Sequence, residues 1–258
     1  MLQKLRQIAE SAGRETLRFY GQPLTVDAKA DDSPLTQADL ASHRLILREL
    51  AATFPDIPIV SEEDESISDR FDPDGTWFVV DPLDGTKDFI KQTDCFTVNI
   101  GLIKDRQPVA GVVHVPASGV TYAADTDGAW RASPNEPPTS IAVSPAADPL
   151  RIVASRDHAG PEVKALLERF PDAECLSIGS SLKFCLVAEG KADIYLRDVP
   201  TMEWDTAAAQ AIVQAAGGAV LTHPAQKALT YGKSEFRNES LLTIGDRELL
   251  KQLRVERF

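Results

Sequence analysis

Apolar residues recur along the first half of the chain with two spacings, one helical and one of short continuous runs. The helical spacing predicts an amphipathic helix over residues 5–20 and a second helix from Thr36, where Thr36 and Asp39 form a capping-box pattern. The polar segment before Thr36 contains Pro34 and is predicted to be a loop. Short apolar runs bounded by turn residues predict strands at residues 57–60, 77–80, 96–103, 109–115 and 120–124, the last three as a meander.

A proline-rich stretch separates this half from the next. Residues 133–149 hold five of the 17 prolines, which favours a surface connection over a packed element. Strands and helices are then predicted to alternate, at residues 151–154, 161–169, 181–189, 194–196, 206–216, 219–222 and 246–253. The pattern predicts an α+β domain over residues 1–135 and an α/β domain over residues 136–258.

Charge and cysteine content narrow the class of protein. The 258 residues include 27 Lys and Arg against 39 Asp and Glu, which gives a net charge of −12. A protein that coats nucleic acid needs a surplus of cationic residues, so the charge argues against that class. Cys95, Cys175 and Cys185 lie in apolar stretches without a short pair spacing, which predicts buried thiols in a reducing cytoplasm. Because no signal-peptide pattern and no apolar run of about 18 residues is present, we expect a cytoplasmic protein, with peripheral contact to the inner membrane left open.

Carboxylates stand at the ends of three predicted elements. Glu62 follows one strand, Asp81 and Asp84 follow the next, and Asp205 precedes a late helix. Taken singly, these residues are also typical of a solvated loop, an Asp-Gly turn and a helix N-cap. Taken together they are four oxygen ligands on rigid elements, a set that suits Mg²⁺ or Mn²⁺ rather than zinc.

Three ordered blocks resemble the signatures of the magnesium-dependent, lithium-sensitive inositol monophosphatase superfamily. They are Ser61-Glu-Glu-Asp64, Asp81-Pro-Leu-Asp-Gly-Thr-Lys-Asp-Phe89 and Trp204-Asp205. Asp32-Ser-Pro-Leu-Thr-Gln-Ala-Asp39 resembles the family's activating loop. The first two of these blocks, together with Phe96-Thr-Val-Asn-Ile100 and residues 179–190, are most similar to its 3′(2′),5′-bisphosphate nucleotidases of the CysQ type. The resemblance implies the layered α-β-α-β-α sugar-phosphatase fold, built from α+β and α/β parts.

The same resemblance implies a site for Mg²⁺. Glu62, Asp81 and the backbone carbonyl of Leu83 would hold one ion, and Asp81, Asp84 and Asp205 a second, so that Asp81 bridges the two. Glu62 would also hold a loosely bound third ion near the attacking water. Such ions neutralise a phosphate and generate a nucleophile from water, so the reaction needs no covalent intermediate.

Catalytic and substrate-binding roles are likewise implied by the resemblance. Asp39 and Thr86, with Glu62, would orient and activate the water. The first domain would bind metal and phosphate, and the second the rest of the substrate. The implied substrate-binding residues are Leu83, Asp84, Gly85, Thr86, Lys87, Gly179, Ser180, Lys183, Arg197 and Asp205.

Three cations bear on the choice of substrate. Inositol-cleaving relatives carry an acidic residue in place of Arg197, whereas a guanidinium suits phosphate. Together, Arg197, Lys87 and Lys183 indicate a pocket for a second phosphate. The alternative is that Arg197 only pairs with Asp198 or Glu203 at the surface. We therefore expect hydrolysis of the 3′-phosphate of adenosine 3′,5′-bisphosphate to AMP, a housekeeping step of sulfate assimilation.

Two alternatives stay open from the sequence. One is an inositol monophosphatase of broad specificity, and the other is a non-catalytic nucleotide-binding regulator. In each case the expected partner is a small molecule and not a nucleic acid. The expected oligomeric state is a monomer or a homodimer.

Overall fold

The computed structural model describes residues 1–23, 26–28, 34–64, 70–155 and 160–253. The helices are α1 (Leu2–Leu17), α2 (Gln37–Thr53), α3 (Thr86–Ile90), α4 (Pro161–Arg169), α5 (Leu182–Ala188), α6 (Ala207–Ala215) and α7 (Leu249–Leu253). The strands are β1 (Val26–Ala28), β2 (Pro34–Thr36), β3 (Ile59–Ser61), β4 (Thr76–Asp84), β5 (Thr97–Lys104), β6 (Gln107–Val115), β7 (Val120–Asp125), β8 (Gly128–Ala132), β9 (Thr139–Ser140), β10 (Arg151–Ser155), β11 (Glu174–Ile178), β12 (Ile194–Arg197), β13 (Thr201–Met202), β14 (Ala219–Thr222), β15 (Arg237–Asn238) and β16 (Leu241–Ile244).

Two large sheets organise these elements. The first has seven strands in the order β3-β4-β5-β6-β7-β8-β9, antiparallel except for the parallel pair β3 and β4. The second has five strands in the order β11-β10-β12-β16-β14 and is mixed. The pairs β1–β2 and β13–β15 form two small separate sheets.

Side-chain alternation along the strands stacks the sheets and helices in five layers. On β4, Phe78 and Val80 face the helices α1 and α2, whereas Trp77 and Val79 face α5 and α6. The second sheet also packs on α5 and α6, and its other face is covered by α4 and α7. The order α-β-α-β-α confirms the expected fold, with α6 in the central layer.

Several expectations for individual elements need correction. The segment taken as a loop before α2 contains the strands β1 and β2, which pair as an antiparallel hairpin. The strand expected to end at Val80 continues to Asp84, because its last residues still pair with β5 across a register shift. Cys175 is exposed rather than buried, since it lies on the edge strand β11.

The proline-rich connection does not separate two independent sheets cleanly. Its β9 adds to the first sheet, and α6 from the second half packs on both sheets. The division into domains at residue 135 stays a prediction. Among the helices of the described ranges, none combines the length and the apolarity that crossing a membrane requires.

Small residues let α6 lie directly on the first sheet. A Cβ at Gly101 would come within 3.1 Å of the Ala207 Cβ, and one at Gly111 within 2.2 Å of the Ala208 carbonyl oxygen. No side chain can occupy the second position unless the helix backbone moves. This contact therefore sets the distance between α6 and the sheet, and with it the place of Asp205 just before the helix.

Substitution of Gly111 by Ala should push α6 away from the first sheet. We expect Gly111→Ala to lower the free energy of unfolding by about 1–3 kcal/mol, as overpacked cores do. Gly245→Ala is the matched control, because its Cβ would meet nothing closer than 3.5 Å. Urea denaturation measures both variants, and equal stabilities would contradict the close packing of α6.

Candidate active site

The end of β4 forms the floor of the site. Asp81 is buried, and its Oδ1 accepts a hydrogen bond from the Leu83 backbone N–H at 2.9 Å. The chain turns at Gly85, whose φ of 91° lies in the left-handed region that favours glycine, and α3 begins at the next residue. The register shift between Asp81 and Asp84 lets both carboxylates face the same side at the end of the strand.

Carboxylates from separate elements converge there. Asp81, Asp84 and Asp205 each offer one oxygen, and these oxygens all lie within 4.8 Å of one another. Glu62, which follows β3, hydrogen-bonds Asp81. Asp205 does not cap α6 as its sequence position allowed: the N-cap is Thr206, and Asp205 Oδ2 accepts from the Met202 N–H at 2.8 Å.

Burial and mutual repulsion make this cluster costly without a counter-ion. Burial raises the pKa of Asp81 well above its usual range, and the charges of Glu62, Asp84 and Asp205 raise it further. Burial also raises the pKa of Asp205, again with Asp84 and Glu62 adding to it. An oxygen-only donor set of this net charge fits a hard divalent cation such as Mg²⁺ or Mn²⁺.

The capping box of α2 fixes a further carboxylate beside the cluster. Asp39 Oδ2 accepts from the Thr36 backbone N–H at 2.9 Å, as predicted for a capping box. Its other oxygen, Oδ1, accepts from Thr86 Oγ1 at 3.2 Å. Burial raises the pKa of Asp39. Two residues 47 positions apart are thus placed as a hydrogen-bonded pair at the start of α3.

A pocket opens over the carboxylates and has a cationic wall. Among the sequence-predicted residues, it is lined by Asp84, Gly85, Thr86, Lys87, Gly179, Ser180, Lys183, Arg197 and Asp205. Asp39, Glu62, Asp81 and Leu83 lie outside this lining. The Leu83 side chain is buried with Phe89 and Phe96, so only its backbone can serve the site.

Lys183 is the notable cation of this wall. It is 5% exposed, burial lowers its pKa to about 8, and its Nζ lies 5.5 Å from the centre of the Tyr195 ring. No hydrogen bond or ion pair reaches Nζ from the described parts of the chain. The charges of Asp84, Asp88 and Asp205 attract this ammonium but do not outweigh the cost of its burial, and an anion in the pocket would offset that cost.

Arg197 does not make the surface pair considered above. Its Nε donates to the Val199 carbonyl at 3.3 Å. Asp198 instead accepts from the backbone N–H groups of residues 160, 162 and 163, and Glu203 pairs with Lys233. The guanidinium also hydrogen-bonds the Tyr195 side chain, but it has no ion pair with Asp198 or Glu203, and it lines the pocket.

Three polar residues that surround Asp84 carry no signal in the sequence that would mark them as part of the site. They are Thr97, Asn99 and Ser181, all hydrogen-bonded to its Oδ2. They lie in stretches that carried the family resemblance, but nothing in their spacing links them to Asp84. Of the segment likened to the activating loop, residues 32 and 33 lie outside the described residues.

Comparisons with known proteins agree with this geometry. The family model described as the inositol monophosphatase family matches residues 1–255. The chain is 44% identical to the 3′(2′),5′-bisphosphate nucleotidase CysQ of Escherichia coli (strain K12) over 222 residues, 85% of this chain and 89% of that protein. It is 34% identical to the protein of the same name from Haemophilus influenzae over 253 residues, 95% and 93% of the two chains.

A solved structure shows the same arrangement of elements. The crystal structure of CysQ from Bacteroides thetaiotaomicron, described as a bacterial member of the inositol monophosphatase family, superposes with a TM-score of 0.81 and 37% identity. The match covers 95% of this chain and 97% of that one. In sequence and in fold, the chain belongs to the inositol monophosphatase family.

Proposed function

We propose that this chain is a 3′(2′),5′-bisphosphate nucleotidase that hydrolyses the 3′-phosphate of adenosine 3′,5′-bisphosphate to AMP and phosphate. The observation that carries the proposal is the buried, unpaired Lys183 ammonium across one pocket from the Asp84 and Asp205 carboxylates. One side of the pocket can serve a scissile phosphate and the other a second phosphate. The relatives at 34–45% identity carry the name of this activity.

The proposed metal is Mg²⁺, as two ions with a loosely held third. Glu62, Asp81 and the Leu83 carbonyl would hold one, Asp81, Asp84 and Asp205 the second, and Glu62 the third. Bound there, the ions would neutralise the phosphoryl charge and lower the pKa of a water. The convergence of three carboxylate oxygens within 4.8 Å supports this assignment.

The protein's own residues would place the water and the phosphate. Asp39 Oδ1 accepts the Thr86 hydroxyl proton, so the Thr86 oxygen can accept a hydrogen bond from the attacking water and pass its proton to Asp39. The backbone N–H groups of Gly85 and Thr86 would hold the scissile phosphate. Burial disfavours the charged form of Asp39, which makes it a better base than an exposed carboxylate.

The remaining substrate contacts come from the cationic wall. Lys87, Lys183 and Arg197 would bind the 5′-phosphate, and Gly179 and Ser180 would border it. Residues 1–135 would then supply the scissile-phosphate site and all the metal ligands except Asp205, and residues 136–258 most of the contacts to the rest of the nucleotide. The proposed setting is the cytoplasm, with a monomer or homodimer acting on a free nucleotide rather than on nucleic acid.

The function is tested by phosphate release from adenosine 3′,5′-bisphosphate, inositol 1-phosphate and fructose 1,6-bisphosphate. We expect the first to have the highest kcat/KM. A preference for inositol 1-phosphate would favour the broad inositol monophosphatase, and nucleotide binding without phosphate release would favour a regulator. Both outcomes would contradict the proposal.

Charge reversal at Arg197 tests the second-phosphate site. A charge-assisted contact contributes about 1.5–3 kcal/mol, so Arg197→Glu should lower kcat/KM for adenosine 3′,5′-bisphosphate by about ten- to a hundredfold. Hydrolysis of inositol 1-phosphate should be unchanged or slightly faster. Arg48→Glu is the control for net charge, since Arg48 is exposed and outside the pocket. An unchanged ratio of the two kcat/KM values would remove Arg197 from the substrate site.

Asp205 tests the metal site through stability as well as activity. Its pKa is raised above the ordinary 3.8, so in metal-free protein its ionisation lowers stability increasingly as the pH rises above that value. In EDTA at pH 8, Asp205→Asn should therefore raise the Tm by at least about 2 °C, with a smaller rise at pH 5. With Mg²⁺ it should lose more than about a hundredfold of kcat. A Tm at or below that of the wild type at pH 8 would contradict the assignment.

Substitution of Thr86 distinguishes a role in catalysis from a role in substrate binding. Loss of its hydroxyl should lower kcat by about a hundredfold while KM changes little, because the interaction with water belongs mainly to the transition state. Thr86→Ala is compared with Thr86→Ser, which keeps the hydroxyl and should retain most of the activity. Steady-state kinetics at saturating Mg²⁺ decides, and a change confined to KM would mean that Thr86 only binds substrate.

A further inference from the structure

Ser181 lies where three elements of the site meet. It precedes α5, is 1% exposed, and has its Oγ 2.6 Å from Asp84 Oδ2 at the end of β4. The same Oγ lies 2.6 Å from the backbone carbonyl oxygen of Asp205, just before α6. One small side chain therefore connects the two carboxylate residues that face the pocket.

The hydrogen bonds around Asp84 distinguish its two oxygens. Oδ2 receives the Ser181 N–H and hydroxyl, and it also lies 3.3 Å from both Thr97 Oγ1 and Asn99 Nδ2. No hydrogen bond from the described part of the protein reaches Oδ1. The carboxylate is thus held by one oxygen and offers the other.

Asn99 fixes the direction of the Ser181 hydroxyl. Its Nδ2 donates to Ser181 Oγ at 2.9 Å. The reverse amide orientation would point the Asn99 oxygen at the Asp84 carboxylate, which is repulsive, so the amide nitrogen belongs on this side. Since Ser181 Oγ accepts from Asn99, its single proton is left for the two acceptors at 2.6 Å, Asp84 Oδ2 and the Asp205 carbonyl oxygen, which share it as a three-centre hydrogen bond.

We infer that Ser181 is a positioning residue of the metal centre, which holds Asp84 with Oδ1 towards the ion and ties the Asp205 backbone to it. The inference rests on the proposed function, because it takes Asp84 and Asp205 as metal ligands. A carboxylate that can rotate loses conformational entropy when it binds an ion, whereas a carboxylate that is already fixed does not. Ser181 borders the pocket, and it acts on metal affinity through the orientation of Asp84 rather than as a ligand of the ion.

Direct binding of Mn²⁺ tests this role without an activity assay. The free ion is measured by electron paramagnetic resonance as Mn²⁺ is titrated into the wild type, Ser181→Ala and a control, Thr243→Val. Thr243 is the control because it is another buried hydroxyl, on β16, without a hydrogen-bond partner. Ser181→Ala should weaken Mn²⁺ binding by about ten- to a hundredfold, and Thr243→Val should leave it unchanged.

A second variant checks that the effect passes through Asp84. Asn99→Ala removes a donor to both Ser181 and Asp84, so its effect on the Kd should not add to that of Ser181→Ala in the double variant. It also tests the same network if Ser181→Ala fails to fold. Steady-state kinetics at saturating Mn²⁺ should show the KM of Ser181→Ala for adenosine 3′,5′-bisphosphate within about threefold of the wild type, since the residue is not assigned a substrate contact.

The outcomes separate this inference from the proposed function. Failure of the wild type to bind Mn²⁺ would overturn the metal site itself. Tight binding by the wild type with an equal Kd in Ser181→Ala would overturn only the role of Ser181. Additive effects of the two substitutions would do the same, because they would mean that Ser181 and Asn99 act independently.

Discussion

Repulsion among Glu62, Asp81, Asp84 and Asp205 is the constraint on which the arrangement of the site depends. These carboxylates come from both halves of the chain and are held together at the end of one buried strand, where low polarity strengthens their mutual repulsion. A cluster of this kind opposes folding unless a cation joins it. The stability of the metal-free protein is therefore coupled to the same groups that would bind the ion.

The packing of the central layer makes that convergence possible. Gly101 and Gly111 on the first sheet admit α6 at backbone contact, which brings Asp205 to the end of β4. On the other side, the capping box of α2 gives Asp39 a fixed orientation and leaves its second oxygen for Thr86. Ordinary elements of helix packing and capping thus serve as the rigid support of the proposed chemistry.

The pocket combines opposite charges at a short distance. Its acidic side suits metal ions, and its cationic side, with the buried Lys183, suits an anion. A ligand that carries phosphates at two separated positions satisfies both sides, whereas a mono-phosphorylated polyol leaves Lys183 unpaired. This asymmetry is the physical basis for preferring a bisphosphate nucleotide.

The sequence by itself determined the elements and the acidic residues. Hydrophobic periodicity predicted α1, α2, α4, α6 and the meander, because those segments bury one face or are apolar throughout. The blocks around Glu62, Asp81 and Asp205 carried the family resemblance and hence the layered fold. The cap at Thr36 was also readable, since capping depends on residues three positions apart.

Only the tertiary structure decided how distant residues meet. Nothing local shows that Ser181 would reach Asp84, 97 positions away, or that Thr206 rather than Asp205 would cap α6. The edge position that exposes Cys175 depends on strand order, which the strand's own sequence does not specify. Hydrogen bonds between separate elements and the order of strands in a sheet arise from packing of the whole chain, so residue patterns within one segment cannot encode them.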